Sequence, residues 1–228
     1  MIMDYLRLAG YKVVSFDKIS STQSYAHDMI AQGIASDHMA IVAAAQYAGR
    51  GRYRRKWVSH HGNLYVSFIF NSPERDPRLS YAVAVAVAET IISYGVNPQI
   101  KWPNDILVNN AKISGVLIEY VGRFVIIGIG INVHTNPTVP EYKTTRLDEY
   151  TDVDVTDVMS RLVKNLDKFI KADFDVVRKR WMALAAGLNK LVKYRGEMVE
   201  LIGVNDNGAL VVRRGPEYLL VHGDEILM

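Results

Sequence analysis

The sequence contains no cysteine, only 7 prolines in 228 residues, and no apolar run of membrane-spanning length. Without cysteine there are no disulfides, no thiolate metal centres and no thiol nucleophile, which fits a reducing compartment. The longest apolar stretches, Leu79–Ala88 and Phe124–Ile131, fall well short of the ~18 residues a membrane helix needs. Asp4 and Arg7 interrupt the N-terminal segment and argue against a secretory leader. A cytoplasmic protein is therefore expected. Net charge is also scarce: 27 Lys and Arg against 24 Asp and Glu leave +3, too little for a nucleic-acid protein if spread evenly. Internal repeats and low-complexity tracts are absent. What is present is an ordinary globular composition, 49% hydrophobic and 22% charged. That excludes wholesale disorder and collagen-like structure. The length suits one large core, or one core with a small appended domain.

The pattern along the chain is mixed. Strand-like runs occur at Lys12–Phe16, Met39–Gln46 and Leu64–Phe70, and Ser21 is placed to cap a helix that Gly33 stops. Leu79–Tyr94 has alternating valines, but its length and interleaved alanines favour a buried helix ending at Gly95. Ile113–Tyr120 and Phe124–Val133 are joined by Val121-Gly122-Arg123, as in a hairpin. Apolar residues at helical spacing mark Val155–Ala172, and a further helix is expected over Phe174–Ala186. Beyond Gly187 the texture changes. Lys190–Tyr194, Met198–Val204, Ala209–Val212, Tyr218–Val221 and Glu225–Leu227 are short apolar runs separated by turn residues, as in a small β-barrel. The expected organisation is an α+β domain over residues 1–187, its strands and helices not alternating in βαβ rhythm, and a β-domain over 188–228.

The charge is concentrated in one place. Residues 50–56 read Arg-Gly-Arg-Tyr-Arg-Arg-Lys, five cations with no acid. The remaining 22 basic residues face 24 acidic ones, so the rest of the chain carries −2. Gly49 and Gly51 flank the first arginine and permit close backbone approach; Trp57 follows with a flat apolar face. Arginines that grip phosphate in pairs, beside an indole that can stack on a base, suit a phosphorylated aromatic ligand. The same run also suits a solvated surface loop or a single-stranded nucleic acid.

Other segments carry weaker signals. In Lys101-Trp102-Pro103-Asn104-Asp105 a strand-like run ends in a simple strand-to-strand turn, or a carboxylate and amide stand ready for a metal ion or ribose. Lys112-Ile113-Ser114-Gly115 opens an apolar run; the lysine is a surface residue or a fixed ammonium beside a site that Gly115 leaves open. Gly128-Ile129-Gly130-Ile131-Asn132 lacks the third glycine and the following helix of a dinucleotide fingerprint. Its glycines instead suggest another backbone or a flat ligand packed on the strand. Ser21-Thr22-Gln23 reads as a helix cap or as a polar ligand cradle. No phosphate-loop lysine motif, zinc-helix motif or serine nucleophile elbow is present, and His60-His61 reads as loop surface.

In this order, Ser21-Thr22-Gln23, Gln46-Tyr47-Ala48-Gly49-Arg50-Gly51-Arg52 with Arg55-Lys56-Trp57, Lys101–Asp105, Lys112–Gly115 and Gly128–Asn132 resemble the biotin protein ligases. The likeness spans nearly the whole chain, including an SH3-like C-terminal domain. It implies a mixed β-sheet catalytic domain flanked by helices, of the class II synthetase type. It also implies a two-step reaction in which biotin and MgATP form biotinoyl-5′-AMP, and the acyl group then passes to a lysine of a biotin carboxyl carrier protein.

The resemblance assigns Ser21, Thr22, Gln23 and Gln46 to the polar head of biotin, and Arg50, Arg52 and Lys112 to the reacting carboxylate and α-phosphate. Gly49, Gly51 and Gly115 provide backbone contacts, Trp57 stacks on adenine, and Lys101, Asn104, Asp105 and Asn132 face the nucleotide, with Asp105 on Mg2+. Position 23 departs from the family's usual Asn. Eleven residues before the first strand leave no room for a helix-turn-helix domain, so the monofunctional type without nucleic-acid or membrane partners is expected, assembling as a homodimer. The five like charges predict an Arg loop that is mobile until ligand orders it. The alternative within the fold is a lipoate–protein ligase.

Overall fold

The computed structural model describes residues 2–222. Eleven strands and five helices form a seven-stranded sheet with helices on both faces, followed by a four-stranded antiparallel sheet. In chain order they are α1 (Ile2–Leu8), β1 (Lys12–Ile19), α2 (Thr22–Ala31), β2 (Met39–Gln46), β3 (Leu64–Asn71), α3 (Leu79–Ile92), β4 (Gln99–Lys101), β5 (Asp105–Val108), β6 (Ala111–Val121), β7 (Phe124–Ile131), α4 (Val155–Ile170), α5 (Phe174–Leu184), β8 (Leu191–Tyr194), β9 (Glu197–Val204), β10 (Leu210–Arg214) and β11 (Glu217–Val221). The large sheet runs β1-β2-β3-β7-β6-β5-β4. Only β1 and β2 are parallel. The α+β expectation therefore holds.

Alternation of side chains along the strands divides the core. Val125, Ile127 and Ile129 point to the face covered by α3 and α4, while Phe124 and Ile126 join Ile41, Ile69, Ala26 and Met29 beneath α2. The predicted stripe of α4 (Val158, Met159, Leu162, Val163, Leu166 and Phe169) is wholly buried. Asp154 caps this helix by accepting from the backbone N–H of Thr156 and Asp157. α3 is buried on almost every side from Tyr81 to Ala88, because the sheet lies below it and α4 and α5 lie above. Alternating alanine and valine lets a helix sit that close to its neighbours, so burial decides between the two readings of this segment.

Two short elements escape the sequence reading. α1 has seven residues, too few for intrinsic helical stability; Leu6, fully buried, and the Tyr5 hydroxyl donating to Ser160 O dock it on α4. Asp105, read as part of a turn, instead opens β5 opposite Lys101. The expected strand Glu225–Leu227 lies outside the described residues. Among the described residues no helix is long and apolar enough to cross a membrane.

The small sheet packs onto the large core rather than standing apart. The chain leaving α5 bridges β4, with Ala186 N–H donating to Ile100 O at 2.9 Å. Val192, Val199, Leu201 and Val212 belong to the same apolar cluster as α3.

Candidate active site

The α2 face of the sheet, beyond the end of α2, forms the wall of a cavity of about 1010 Å³. Every site residue named from the sequence lines it except Gly49.

Its polar wall is built at the start of α2. Ser21, in extended conformation, caps the helix and accepts from Ser24 N–H. That geometry turns Thr22 and Gln23 inward, where they are buried beside the fully buried Ser67 of β3. Thr22 donates its backbone N–H to Gln46 Oε1 at 2.8 Å, and Gln46 Nε2 donates to Ser59 Oγ at 2.9 Å. The Ser67 hydroxyl lies 2.9 Å from Thr22 Oγ1 and 3.0 Å from Gln23 Oε1. Gln23 Nε2 donates to Glu119 Oε2 at 2.9 Å. Gln23 therefore fits here despite being a methylene longer than the usual Asn. Gly128 makes room for it: a Cβ there would stand 2.5 Å from Gln23 Oε1.

The basic loop folds back on itself. Arg50 bridges Lys56, Gly51 N–H donates to Arg55 O, and Trp57 N–H donates to Gly49 O. Tyr53 and Arg54 take positive φ, 53° and 60°, and the guanidinium carbons of Arg52 and Arg55 lie 4.9 and 5.8 Å from the Tyr53 ring centroid. Cations stacked on an aromatic face lower the cost of crowding like charges. Arg50 Nη2 donates to Glu119 Oε1 at 2.8 Å. A Cβ on Gly49 would strike the Trp57 carbonyl, so this glycine serves an approach of the chain to itself.

The floor is the glycine pair Gly115 and Gly130, opposite each other in β6 and β7. Trp57 lies on both: a Cβ on Gly130 would be 2.6 Å from its Nε1, and one on Gly115 would be 3.0 Å from its Cζ3. Where the sequence suggested another backbone or a flat ligand at Gly130, and a ligand at Gly115, the group lying on both is the protein's own indole.

The β4–β5 hairpin closes the far side. Asn104 Nδ2 donates to Val116 O while Val116 N–H donates to Asn104 O. Lys112 Nζ is 2.6 Å from Asp105 Oδ1, and stands 5.2 and 5.3 Å from the Trp57 and Tyr142 rings. Trp102 is a buried support whose Nε1–H donates to Tyr81 OH. Asn132 is buried at the cavity wall, with Nδ2 donating to Thr145 O. His60 and His61 are exposed, as read.

Ser67, Tyr142 and Glu119 are additions from the structure. Ser67 could have been noticed as a small polar side chain set among the large apolar and aromatic ones of a buried strand. Glu119 follows Gly115 and Leu117 at intervals of two, the signature of a shared face. Burial alone would push the Glu119 carboxyl up, but hydrogen bonds from Gln23 and His27 and the charge of Arg50 together hold it below its ordinary value.

The sequence pattern of the biotin/lipoate A/B protein ligase family matches residues 15–136. The chain is 33% identical to the bifunctional ligase/repressor BirA of Bacillus subtilis, over 89% of this chain and 70% of that protein. It is 30% identical to the biotin–[acetyl-CoA-carboxylase] ligase of Paracoccus denitrificans, over 77% and 84%. The structure of the biotin protein ligase of Aquifex aeolicus in complex with biotin and ATP superposes with a TM-score of 0.80 at 28% identity, covering 94% of this chain and 97% of that one.

Proposed function

Because the chain belongs to the biotin/lipoate A/B protein ligase family, we propose that it is an ATP-dependent biotin protein ligase acting on a biotin carboxyl carrier protein. A biotin carboxylate oxygen attacks the α-phosphorus of ATP, forming biotinoyl-5′-AMP and releasing pyrophosphate. The amine of a carrier lysine then attacks the acyl carbon, loses a proton and expels AMP. The observation that carries this reading is the joining, in one cavity, of a buried neutral polar cradle and a cationic wall. The relatives named above as biotin ligases favour biotin over lipoate.

Ser21, Thr22, Gln23 and Gln46 hold the polar head of biotin. Arg50, Arg52 and Lys112 offset the repulsion between carboxylate and triphosphate and stabilise charge in the transition state. Gly51 and Gly115 let backbone approach the ligand, and Trp57 offers adenine the side not seated on the glycines. Lys101, Asn104 and Asn132 border the nucleotide end. The chemistry needs no covalent enzyme intermediate; it rests on orientation and electrostatics. Among the described residues no three of His, Cys, Asp and Glu come together, and Asp105 is already paired with Lys112. Magnesium therefore fits as an ion carried on the ATP phosphates, with Asp105 as the protein group that would meet it.

Residues 1–187 as the catalytic unit, 188–228 as its appendage, a homodimeric assembly and a cytoplasmic location complete the proposal. The test is biotin-dependent exchange of pyrophosphate into ATP, followed by mass spectrometry of a carrier domain for a biotinylated lysine. Exchange supported by lipoate and not by biotin overturns the reading, as does salt-sensitive oligonucleotide binding without exchange.

A further inference from the structure

Glu119 does not line the cavity, yet three groups converge on its carboxylate. Gln23 Nε2 and His27 Nε2 each lie 2.9 Å from Oε2, and Arg50 Nη2 lies 2.8 Å from Oε1. Gln23 and His27 are four residues apart on α2 and so share one face of the helix. Arg50 arrives from the basic loop and Glu119 from the middle of the sheet. One carboxylate thus ties together the helix that presents the polar cradle, the first arginine of the loop, and β6.

The chemistry of this junction has a direction. An ionised carboxylate only accepts hydrogen bonds, so the Gln23 amide must turn its NH2 toward Glu119. Its carbonyl oxygen is then left over Gly128, where it accepts from the Ser67 hydroxyl and keeps a second lone pair, among residues that line the cavity. The ligand therefore meets an acceptor at position 23. A cyclic urea offers N–H donors to such an acceptor; a dithiolane ring offers none.

Resting on the biotin reading, we propose that Glu119 is a positioning residue for ligand selection: it orients Gln23 to accept a urea N–H and anchors the Arg50 end of the loop over the bound ring. Glu119→Gln removes both constraints, since a neutral amide no longer holds Arg50 by charge and allows the Gln23 amide to turn over. The expected result is a KM for biotin raised about tenfold or more in pyrophosphate exchange, the loss of a charge-assisted hydrogen bond. The KM for ATP should move less than the KM for biotin, and kcat should fall as Arg50 is released, whereas a merely structural role would move both KM values together.

His27→Leu acts on the same carboxylate from a residue that does not line the cavity, and should raise the KM for biotin by a smaller factor. It decides the matter if Glu119→Gln does not fold. Preformed biotinoyl-5′-AMP should also leave the Glu119→Gln enzyme faster. An unchanged KM for biotin in a folded variant, or equal shifts in both KM values, overturns the inference alone. Absence of biotin-dependent exchange in the unaltered protein overturns the ligase reading, and this inference with it.

Discussion

The contact of Trp57 with the glycine floor can be tested by adding one methyl group. In Gly130→Ala the new Cβ would stand 2.6 Å from Trp57 Cε2 and Nε1 and 2.9 Å from Cζ2. Carbon contacts settle near 3.5–4.0 Å, so either β7 or the ring must move by about 1 Å. β7 is held on both sides, with Gly130 opposite Tyr65 in β3 and Gly115 in β6. Trp57 ends a loop and is only half-buried, so the ring moves. Overpacking of this kind costs about 1–3 kcal/mol. Stiffening of the unfolded chain by alanine returns about 0.4–1 kcal/mol, since Gly130 is not in the left-handed region. The net loss is about 1 kcal/mol, which lowers Tm by about 2–4 °C in a chain of this size.

The effect on activity is larger, because a shift of about 1 Å in a positioning group costs about 10²-fold in rate. Thermal melting, tryptophan fluorescence and biotin-dependent exchange measure the three quantities. The decisive comparison adds Gly130→Ala to a Trp57→Leu background. With no indole to displace, the methyl group should be neutral or slightly stabilising. If it costs the same stability in both backgrounds, the reasoning from the ring–glycine contact is wrong.

Three further outcomes are expected. Lys112→Ala should lower the adenylation rate about 10²–10³-fold while the protein still folds; unchanged turnover removes Lys112 from the mechanism. Tyr81, its hydroxyl pushed up to about 12 chiefly by burial, stays protonated and donates to Gly208 O at 3.0 Å while accepting from Trp102. Tyr81→Phe leaves both partners unsatisfied and should cost about 1–3 kcal/mol in denaturant unfolding. Asp154→Ala should cost about 1 kcal/mol as a lost helix cap. The pH dependence of that cost has a definite sign. Burial pushes the Asp154 carboxyl up, but hydrogen bonds from Thr156 and Asp157 outweigh it and leave it below its ordinary value. Its contribution is complete above the unfolded carboxylate range, near pH 4, and fades as pH falls through the lowered folded value. A stability gap between the two proteins that persists unchanged at pH 2 contradicts this.

The long elements were legible because their signals are local. Burial of an apolar stripe at period 3.6 or 2 predicts α4 and the β6–β7 hairpin from neighbouring residues alone. The same holds for the segments that carry the chemistry. Ser21-Thr22-Gln23, the Arg50–Lys56 run, Lys101–Asp105 and Lys112–Gly115 are each continuous, and the cavity receives all of them. α1 was not legible, because so short an element is held by a distant partner, Leu6 by α4; the strand-to-strand turn after Lys101 was legible, but not that Asp105 already opens the second strand.

What the sequence determined by itself is the inventory: a neutral polar cradle, a cluster of cations, an indole and two paired glycines, each set by residues close together in the chain. What only the tertiary structure decided is which member meets which. Trp57 lies on Gly115 and Gly130; Gly49 clears the way for the chain itself; Asp105 meets Lys112; and Glu119 gathers Gln23, His27 and Arg50. Those pairings join residues as far as 96 positions apart. They depend on the register of β6 and β7 and on where α2 crosses the sheet. A shift of one residue in that register would turn Glu119 and the glycines to the opposite face, and the composition of the chain would be the same.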